Sequence, residues 1–436
     1  MNNPYLGLFF LILGVIQTST YFVLSIGYEI TRPRLICRVC GAGLELGSSV
    51  CEHCGANSTQ FWPSVTVITA AYNEEKVIQQ CVETTLKSDY ENLNLIVVND
   101  GSTDSTKTIL NSLSKTYSRM SVIHLDKRGG KAAALNKALE STTGSIIITA
   151  DSDTYIDPRA IKKLVADLEW NQSIGAVCGY DTPANIVNWL VKILLLSAHV
   201  STGFVRRALS YIGCLPVVNF GAFRRAVLDR VAEQRSKETG SPGQVFIENL
   251  GEDMELTIRI HKLGYKTVFE PDARALSESP SNLRTLWNQR TRWIRGFLQD
   301  IRLNKDLLFK SRFGWFMAYL LFSTTVLPVI LLVSLIFFII FDLILASSYD
   351  VWLAWNAIQF FGIFVVFFAV LWGLAIDQEL RKNMRYLWVF PGWVFYSVFL
   401  TLVSVNALII EMRRLPLTWD PWKKTGIIST VERARE

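Results

Sequence analysis

Four stretches of this chain carry no charged residue: Tyr5–Tyr28, Phe313–Phe341, Val351–Ile376 and Tyr386–Ile410. Each exceeds the roughly 20 residues that a helix needs to cross a hydrocarbon core of about 30 Å. Core helices of soluble proteins rarely run so long without a charge, so all four read as membrane helices. They also account for a composition that is 50% hydrophobic. The first run has no basic residue ahead of it and no small-residue cleavage site, so it reads as a retained helix rather than a signal peptide. Arg32, Arg34 and Arg38 follow it at once. By the positive-inside rule the N-terminus lies outside and the large middle segment in the cytoplasm. The loop around Ser347–Asp350 lacks Lys and Arg and fits outside, whereas Asp377–Arg385, with Arg381, Lys382 and Arg385, fits inside. The tail holds Arg413, Arg414, Lys423 and Lys424, which conflicts with three crossings after the middle segment and leaves the side of the C-terminus open. The expected organisation is a membrane helix at 5–28, a cysteine-rich module at 35–58, a cytoplasmic domain at 63–310, three membrane helices within 313–411 and a basic amphipathic tail at 412–436. The expected address is therefore the cell membrane, multi-pass. The net charge of +6 is modest and forms no basic stripe with interleaved aromatics, which argues against a nucleic-acid partner.

Between the first run and the middle segment stands "CRVCGAGLELGSSVCEHC", two C-x-x-C pairs made by Cys37, Cys40, Cys51 and Cys54. That spacing reads as a zinc site. Four thiolates close the tetrahedron and leave no position for a reacting water, so such a Zn²⁺ is structural. Thiolates kept for metal fit a reducing compartment. His53 reads as a bystander, and Cys81, Cys178 and Cys214, set among apolar neighbours, read as buried thiols.

From Pro63 to about Lys310 the pattern changes. "VTVITA", "LNLIVVND", "MSVIHLD", "GSIIITA" and "SIGAVCGY" are short β-branched runs, and helical spacing fills most of the intervals between them. Such alternation predicts an α/β domain with a mainly parallel sheet, which binds ligands beyond the carboxyl ends of its strands. The polar clusters fall there. Asp100 in "NDGSTD" either accepts from a nucleotide or is a turn residue beside a helix N-cap made by Ser102 or Thr103. "KRGGK" either offers backbone N–H groups and Lys131 to a phosphate at a helix start or is a plain loop. Asp151 and Asp153 in "ADSD" repel each other unless a hard divalent cation offsets the charge; the bland reading is a solvated turn. Glu252 and Asp253 open an apolar-periodic helix, as dipole partners or with Asp253 as a general base. "WNQRTRWIRG" carries Gln289, Arg290, Arg292, Trp293 and Arg295. These suit a diphosphate and a sugar ring, or a basic helix lying on the membrane.

Taken in order, "AAYNEE", "VVNDGSTD", "GGKAAALN", "ADSD", "GED" and "QRTRW" resemble the membrane-embedded family 2 glycosyltransferases, which include synthases of cellulose, hyaluronan, chitin oligosaccharide and poly-N-acetylglucosamine. The resemblance covers about Pro63 to Arg295 and implies a nucleotide-sugar-binding domain of the GT-A type. It implies Tyr72, Glu74, Asp100 and Lys131 at the nucleotide, and Asp151 and Asp153 on Mg²⁺ or Mn²⁺ at the donor diphosphate. It further implies Asp253 as the base for the acceptor hydroxyl, Gln289 and Arg292 on the diphosphate, and Trp293 on the acceptor sugar. "VVNFGAFRR", with Phe220 and Gly221, is similar to the family's acceptor-side loop, and "LTWDPWKKTG" to a W-x-K-T gating element. Asn99 departs from the commoner acidic pair, and Gly251 stands where Thr is frequent. The implied reaction is inverting transfer from a nucleotide sugar, UDP-GlcNAc or UDP-glucose favoured, to a growing β-linked polysaccharide, processive and coupled to secretion. Three rival readings stand beside it. One is single-sugar transfer to a polyprenyl phosphate, which "QRTRW" disfavours. Another is a transporter, which the uncharged runs disfavour. The third is a zinc-ribbon scaffold, which the intact clusters disfavour.

Overall fold

The computed structural model describes residues 5–32, 50–55, 62–240, 242–330, 332–333, 336, 349–415 and 424–428. The β-branched runs of the middle segment form strands where the sequence places them. β1 (Val65–Ala71), β2 (Leu93–Asn99), β3 (Met120–His124) and β4 (Ile146–Thr149) lie parallel in the order β3-β2-β1-β4. Val65 stands opposite both Leu93 and Ile146. Val65, Val67, Ile68 and Val97 are fully buried, as continuous apolar strands are when helices cover a sheet. Here α2 (Ile78–Leu86), α3 (Thr106–Thr116), α4 (Lys131–Glu140) and α5 (Ala160–Trp170) provide the cover.

Beyond β4 the sheet changes character. It continues through β5 (Tyr155–Ile156), β6 (Ile174–Pro183), β7 (Gly221–Arg224) and β8 (Lys266–Ser277) to give the order β3-β2-β1-β4-β7-β6-β8-β5. β7 runs antiparallel to both β4 and β6, and β5 antiparallel to β8. The sheet is therefore mixed, where alternation alone predicts a mainly parallel one. β7 is not reached from β6 by a short helical crossover, so the rule that favours parallel neighbours does not govern its direction. The segment read as an acceptor-side loop thus supplies a strand. α8 (Arg225–Thr239) and α9 (Glu252–Lys262) follow β7.

The chain divides into two compact units, taken over their described residues. One holds Arg32–Ile186, Gly213–Ser279 and Pro421–Glu436 and contains the whole sheet. The other holds Met1–Thr31, Val187–Ile212 and Pro280–Asp420. It contains α1 (Tyr5–Thr31), α6 (Trp189–Val200), α7 (Arg207–Tyr211), α10 (Leu283–Leu303), α11 (Arg312–Leu321) and the helices Tyr349–Ile376 and Gly392–Met412. Three of its helical stretches are long and apolar enough to cross a membrane: Trp189–Tyr211, Arg312–Ile330 and Gly392–Met412. The first contains Lys192, His199, Arg206 and Arg207, so a search for uncharged runs passes over it. Phe360 and Phe364, on the helix Tyr349–Ile376, are 71% and 63% exposed.

One polar cluster is buried in this helical unit. Asp377 accepts at Oδ1 from Arg207 (2.7 Å) and at Oδ2 from Thr202 Oγ1 (2.6 Å), and His199 Nδ1 lies 2.8 Å from Oδ2. Arg207 also donates from Nε to Glu29 (2.6 Å) and to the Thr202 carbonyl (2.8 Å). That carbonyl lies in a π turn, Ser201–Arg206, between α6 and α7. A π turn displaces the helical ladder, and Arg207 supplies a donor there.

Candidate active site

The loops after β1, β2 and β3 are laced together. Asp100 is buried at the end of β2, and its carboxylate accepts from the N–H groups of Gly129 (2.6 Å) and Gly130 (2.9 Å). Two motifs read separately in the sequence are thus partners, and the amides of the glycine pair point at Asp100. Asn99, also buried, accepts at Oδ1 from Ser102 N–H (3.2 Å) and contacts His124 Nδ1 through Nδ2 (3.2 Å). Its amide therefore ties β2 to β3 and to the following turn, which an acidic side chain could do only in part. The first turn of α3 is satisfied by Asp104, which accepts from Thr106 N–H (3.0 Å), rather than by Ser102 or Thr103. The Arg128 guanidinium sits 4.2 Å from the centre of the half-buried Tyr72 ring.

The acidic residues gather around two lysines. Lys131, first residue of α4, places Nζ 2.9 Å from Asp151 Oδ1 and 2.8 Å from Glu252 Oε1. Burial opposes the Lys131 ammonium, but Asp151 and Glu252 outweigh it and hold its pKa well above the ordinary value. Asp253, next to Glu252 at the start of α9, accepts from the Asn219 N–H (3.3 Å). Burial and the Glu252 charge push the Asp253 carboxyl up to about 6, against the pull of Lys131. Asp153 is buried and paired with Lys424. Beside it the backbone N–H and hydroxyl of Thr425 (both 2.6 Å) and the N–H of Gly426 (3.1 Å) donate to Glu278. Burial, reinforced by Asp153 and opposed by Lys424, lifts Glu74 to about 7. Glu74 Oε2 is buried and has no hydrogen-bond partner among the described residues.

These residues fit a hard divalent cation. Asp151, Asp153, Glu74 and Glu278 supply only carboxylate oxygens, one of them orphaned, and Mg²⁺ and Mn²⁺ select such donors. Among the described residues no three acidic, His or Cys side chains converge as a complete ligand set, so a diphosphate would have to complete the shell. Glu278 and Lys424 were not among the expected site residues. The "WKKTG" stretch flagged the second; nothing in the Ser- and Pro-flanked "SESP" flagged the first.

Five further residues were expected at the donor and acceptor. Phe220 is fully buried in the core of the sheet unit, and Gly221 opens β7. Gln289, Arg292 and Trp293 lie on α10, in the helical unit. The first two are half-buried and Trp293 is 45% exposed, with the Arg290 guanidinium 4.2 Å from its ring centre. Arg295 is structural: it meets Glu411 (3.3 Å) and donates to the Leu415 carbonyl (2.8 Å). Of the cysteine module, Cys37 and Cys40 lie outside the described residues. Cys51 is buried and Cys54 exposed, and the Cys51 carbonyl accepts from Gly55 N–H (2.8 Å). Gly55 takes φ +71°, the left-handed turn that only a glycine adopts without strain.

Known proteins are similar to this chain in sequence and fold. Residues 66–231 match the model of glycosyl transferase family 2. The chain is 28% identical over 383 residues to "Probable glycosyltransferase YdaM" of Bacillus subtilis (strain 168), spanning 83% of this chain and 86% of that protein. It is 27% identical over 234 residues to the poly-beta-1,6-N-acetyl-D-glucosamine synthase of Staphylococcus epidermidis, spanning 53% of this chain and about half (54%) of that one. Among solved structures, the mannosyltransferase PcManGT from Pyrobaculum calidifontis, in complex with GDP-Man and Mn²⁺, shares the fold. Its TM-score is 0.56 at 17% identity, over 93% of this chain and 99% of that one. The fold is that of the GT-A glycosyltransferases, and residues 66–231 are similar to glycosyl transferase family 2, a family of enzymes.

Proposed function

We propose that the protein is an inverting membrane polysaccharide synthase. In this reading it transfers a sugar from a nucleotide-sugar donor, UDP-GlcNAc or UDP-glucose favoured, to a growing β-linked chain, processively and with secretion of the product. The observation that carries the chemistry is the single hydrogen-bonded and ion-paired cluster running from Asp151 through Lys131 to Glu252, with Asp253 beside it. The order of motifs and the likeness to a poly-beta-1,6-N-acetyl-D-glucosamine synthase and to an N-acetylglucosaminyltransferase support the substrate class.

Asp253 accepts the proton of the acceptor hydroxyl. A carboxyl lifted to about 6 by burial and Glu252 is a better base near neutral pH than an ordinary aspartate. The deprotonated oxygen attacks the anomeric carbon, the nucleoside diphosphate leaves, and one displacement inverts the centre. Lys131 lends positive charge where the leaving group gathers negative charge. Asp100 and Tyr72 hold the nucleotide. Asp151 and Asp153 would hold Mg²⁺ or Mn²⁺, which when bound supplies further charge neutralisation at the diphosphate. Gln289, Arg292 and Trp293 enter this reading through their motif alone. The cysteine spacing, with the Gly55 turn, supports a structural zinc on Cys37, Cys40, Cys51 and Cys54; elemental analysis is expected to give one zinc per chain, lost in Cys51→Ser.

The deciding experiment incubates purified protein in lipid with Mn²⁺ and, separately, UDP-GlcNAc, UDP-glucose and GDP-mannose. Nucleoside diphosphate release is followed and the product cut with linkage-specific hydrolases. A β-linked polymer from one UDP-sugar is expected. No consumption of any donor, or transfer of one sugar to a polyprenyl phosphate only, overturns the reading. Vesicles that make polymer and never enclose it overturn the coupling to secretion.

A further inference from the structure

The turn Val217–Gly221 is fastened on both sides of one residue. Val217 N–H donates to Thr257 Oγ1 (3.0 Å), and that hydroxyl donates to the Asp253 carbonyl (2.9 Å). Cys178 Sγ contacts the Val218 carbonyl (3.5 Å). Phe220 O accepts from Gly179 N–H (2.9 Å), and a Cβ on Gly179 would come within 2.4 Å of the Phe220 ring, so the ring is seated against bare backbone. Between these anchors Asn219 adopts φ 60°, a left-handed conformation uncommon outside glycine and most tolerated by Asn and Asp.

What holds Asn219 there is a carboxylate. Asn219 Nδ2 donates to Asp181 Oδ2 (2.6 Å). Asp181 is itself fixed by Ser277 Oγ, 2.9 Å from each of its oxygens. The β6–β8 pairing shifts register between Gly179 and Tyr180, which sets Asp181 opposite Ala275 and brings the end of β8 within reach. With Asn219 so turned, its main-chain N–H meets Asp253 Oδ2 at 3.3 Å. A line of hydrogen bonds therefore runs from β8 through β6 and the turn to the first residues of α9.

We propose that Asp181 is a positioning residue for sugar transfer: it clamps Asn219 in the left-handed turn so that the Asn219 N–H holds the Asp253 carboxylate where it takes the acceptor's proton. The proposal rests on the reading of Asp253 as the base.

The test uses the full chain in lipid with Mn²⁺ and UDP-GlcNAc, with UDP release as the readout. Asp181→Ala is expected to lower kcat roughly 10- to 100-fold and to leave the KM for UDP-GlcNAc within about twofold, the mark of an interaction that matters to the chemical step rather than to donor binding. Asp181→Asn keeps an oxygen for Asn219 Nδ2 and is expected to stay within about threefold of wild type. Asn219→Gly reaches the same φ without a clamp and is expected to stay within about fivefold, with Asp181→Ala adding no further loss on that background. An unchanged kcat in Asp181→Ala, a raised KM at constant kcat, or an equal further loss in the Asn219→Gly background overturns the clamp. Should Asp181→Ala fail to fold, Asn219→Ala against Asn219→Gly decides: alanine is expected to lose activity that glycine keeps, and equal activity overturns the proposal. Turnover retained by Asp253→Asn removes the base reading itself. An inactive Asp253→Asn beside an unaffected Asp181→Ala removes only the clamp.

Discussion

The two units each bury a group of charges, and the groups are built on opposite principles. In the sheet unit six carboxylates, Glu74, Asp151, Asp153, Glu252, Asp253 and Glu278, gather around two ammonium groups, Lys131 and Lys424. Negative charge is in excess, Glu74 Oε2 is orphaned, and Glu74 and Asp253 are pushed up to about 7 and about 6. In the helical unit Asp377 and Glu29 meet Arg207 and His199, and Asp377 is met by Arg207, His199 and Thr202. A group left short of positive charge is costly unless a ligand completes it. A group whose carboxylate is hydrogen-bonded at both oxygens holds helices in register. Buried charge alone therefore does not point to a reaction centre; incomplete compensation is what supports the proposed one.

The contrast breaks most readily at Asp253. Asp253→Asn is expected to cut kcat by about 10³-fold, within the span of general-base effects, while the thermal midpoint stays near wild type; UDP release and a melting curve check both. In the helical unit the expected response is reversed. Asp377→Ala takes from Arg207 one of its two carboxylate partners, and from His199 and Thr202 the carboxylate they meet, and is expected to lower stability by about 3 kcal/mol, read from thermal unfolding in detergent. A variant that melts like wild type would show that this group is not a structural lock.

Lys424 sharpens the comparison at smaller scale. It occupies Asp153, an expected metal ligand, so cation and lysine compete for one carboxylate. Lys424→Ala is expected to raise the affinity of the sugar-free protein for Mn²⁺ on the order of tenfold, the worth of one charge-assisted contact, measured by titration calorimetry. Unchanged affinity would show that the tail does not guard the site.

The smallest effect is in pH. Because Glu74 and Asp253 bind protons more tightly folded than unfolded, their contribution to stability falls as pH rises from about 4 to about 7. Activity runs the other way, rising through about pH 6 as Asp253 loses its proton. Metal-free protein is therefore expected to melt slightly higher at pH 5 than at pH 7, while protein supplied with Mn²⁺ and donor turns over more slowly at pH 5 than at pH 7. Parallel trends would place the titrating group elsewhere.

Much of the site was legible because its residues sit at strand ends and helix starts, positions that local sequence specifies. "VTVITA" and "LNLIVVND" mark β1 and β2, and Asp100 and Asp151 follow from where those runs and "GSIIITA" stop. Other residues were illegible for the converse reason. Glu278 meets Thr425, and Lys424 meets Asp153, although each pair is far apart in the chain, and Asp181 sits mid-strand with no local mark of a role. The antiparallel turn of β7 and the apolar helix Trp189–Tyr211, broken by four basic or titratable residues, escape period and charge counting alike. Sequence by itself determined the class of fold, two of the three long apolar stretches found among the described residues and most of the carboxylates, because hydrophobic period and turn chemistry act over a few residues. Only the tertiary structure decided which carboxylates are short of positive charge, which lysine covers which, and that a strained asparagine leans on Asp253. Those properties arise from distances between segments that the chain order does not encode.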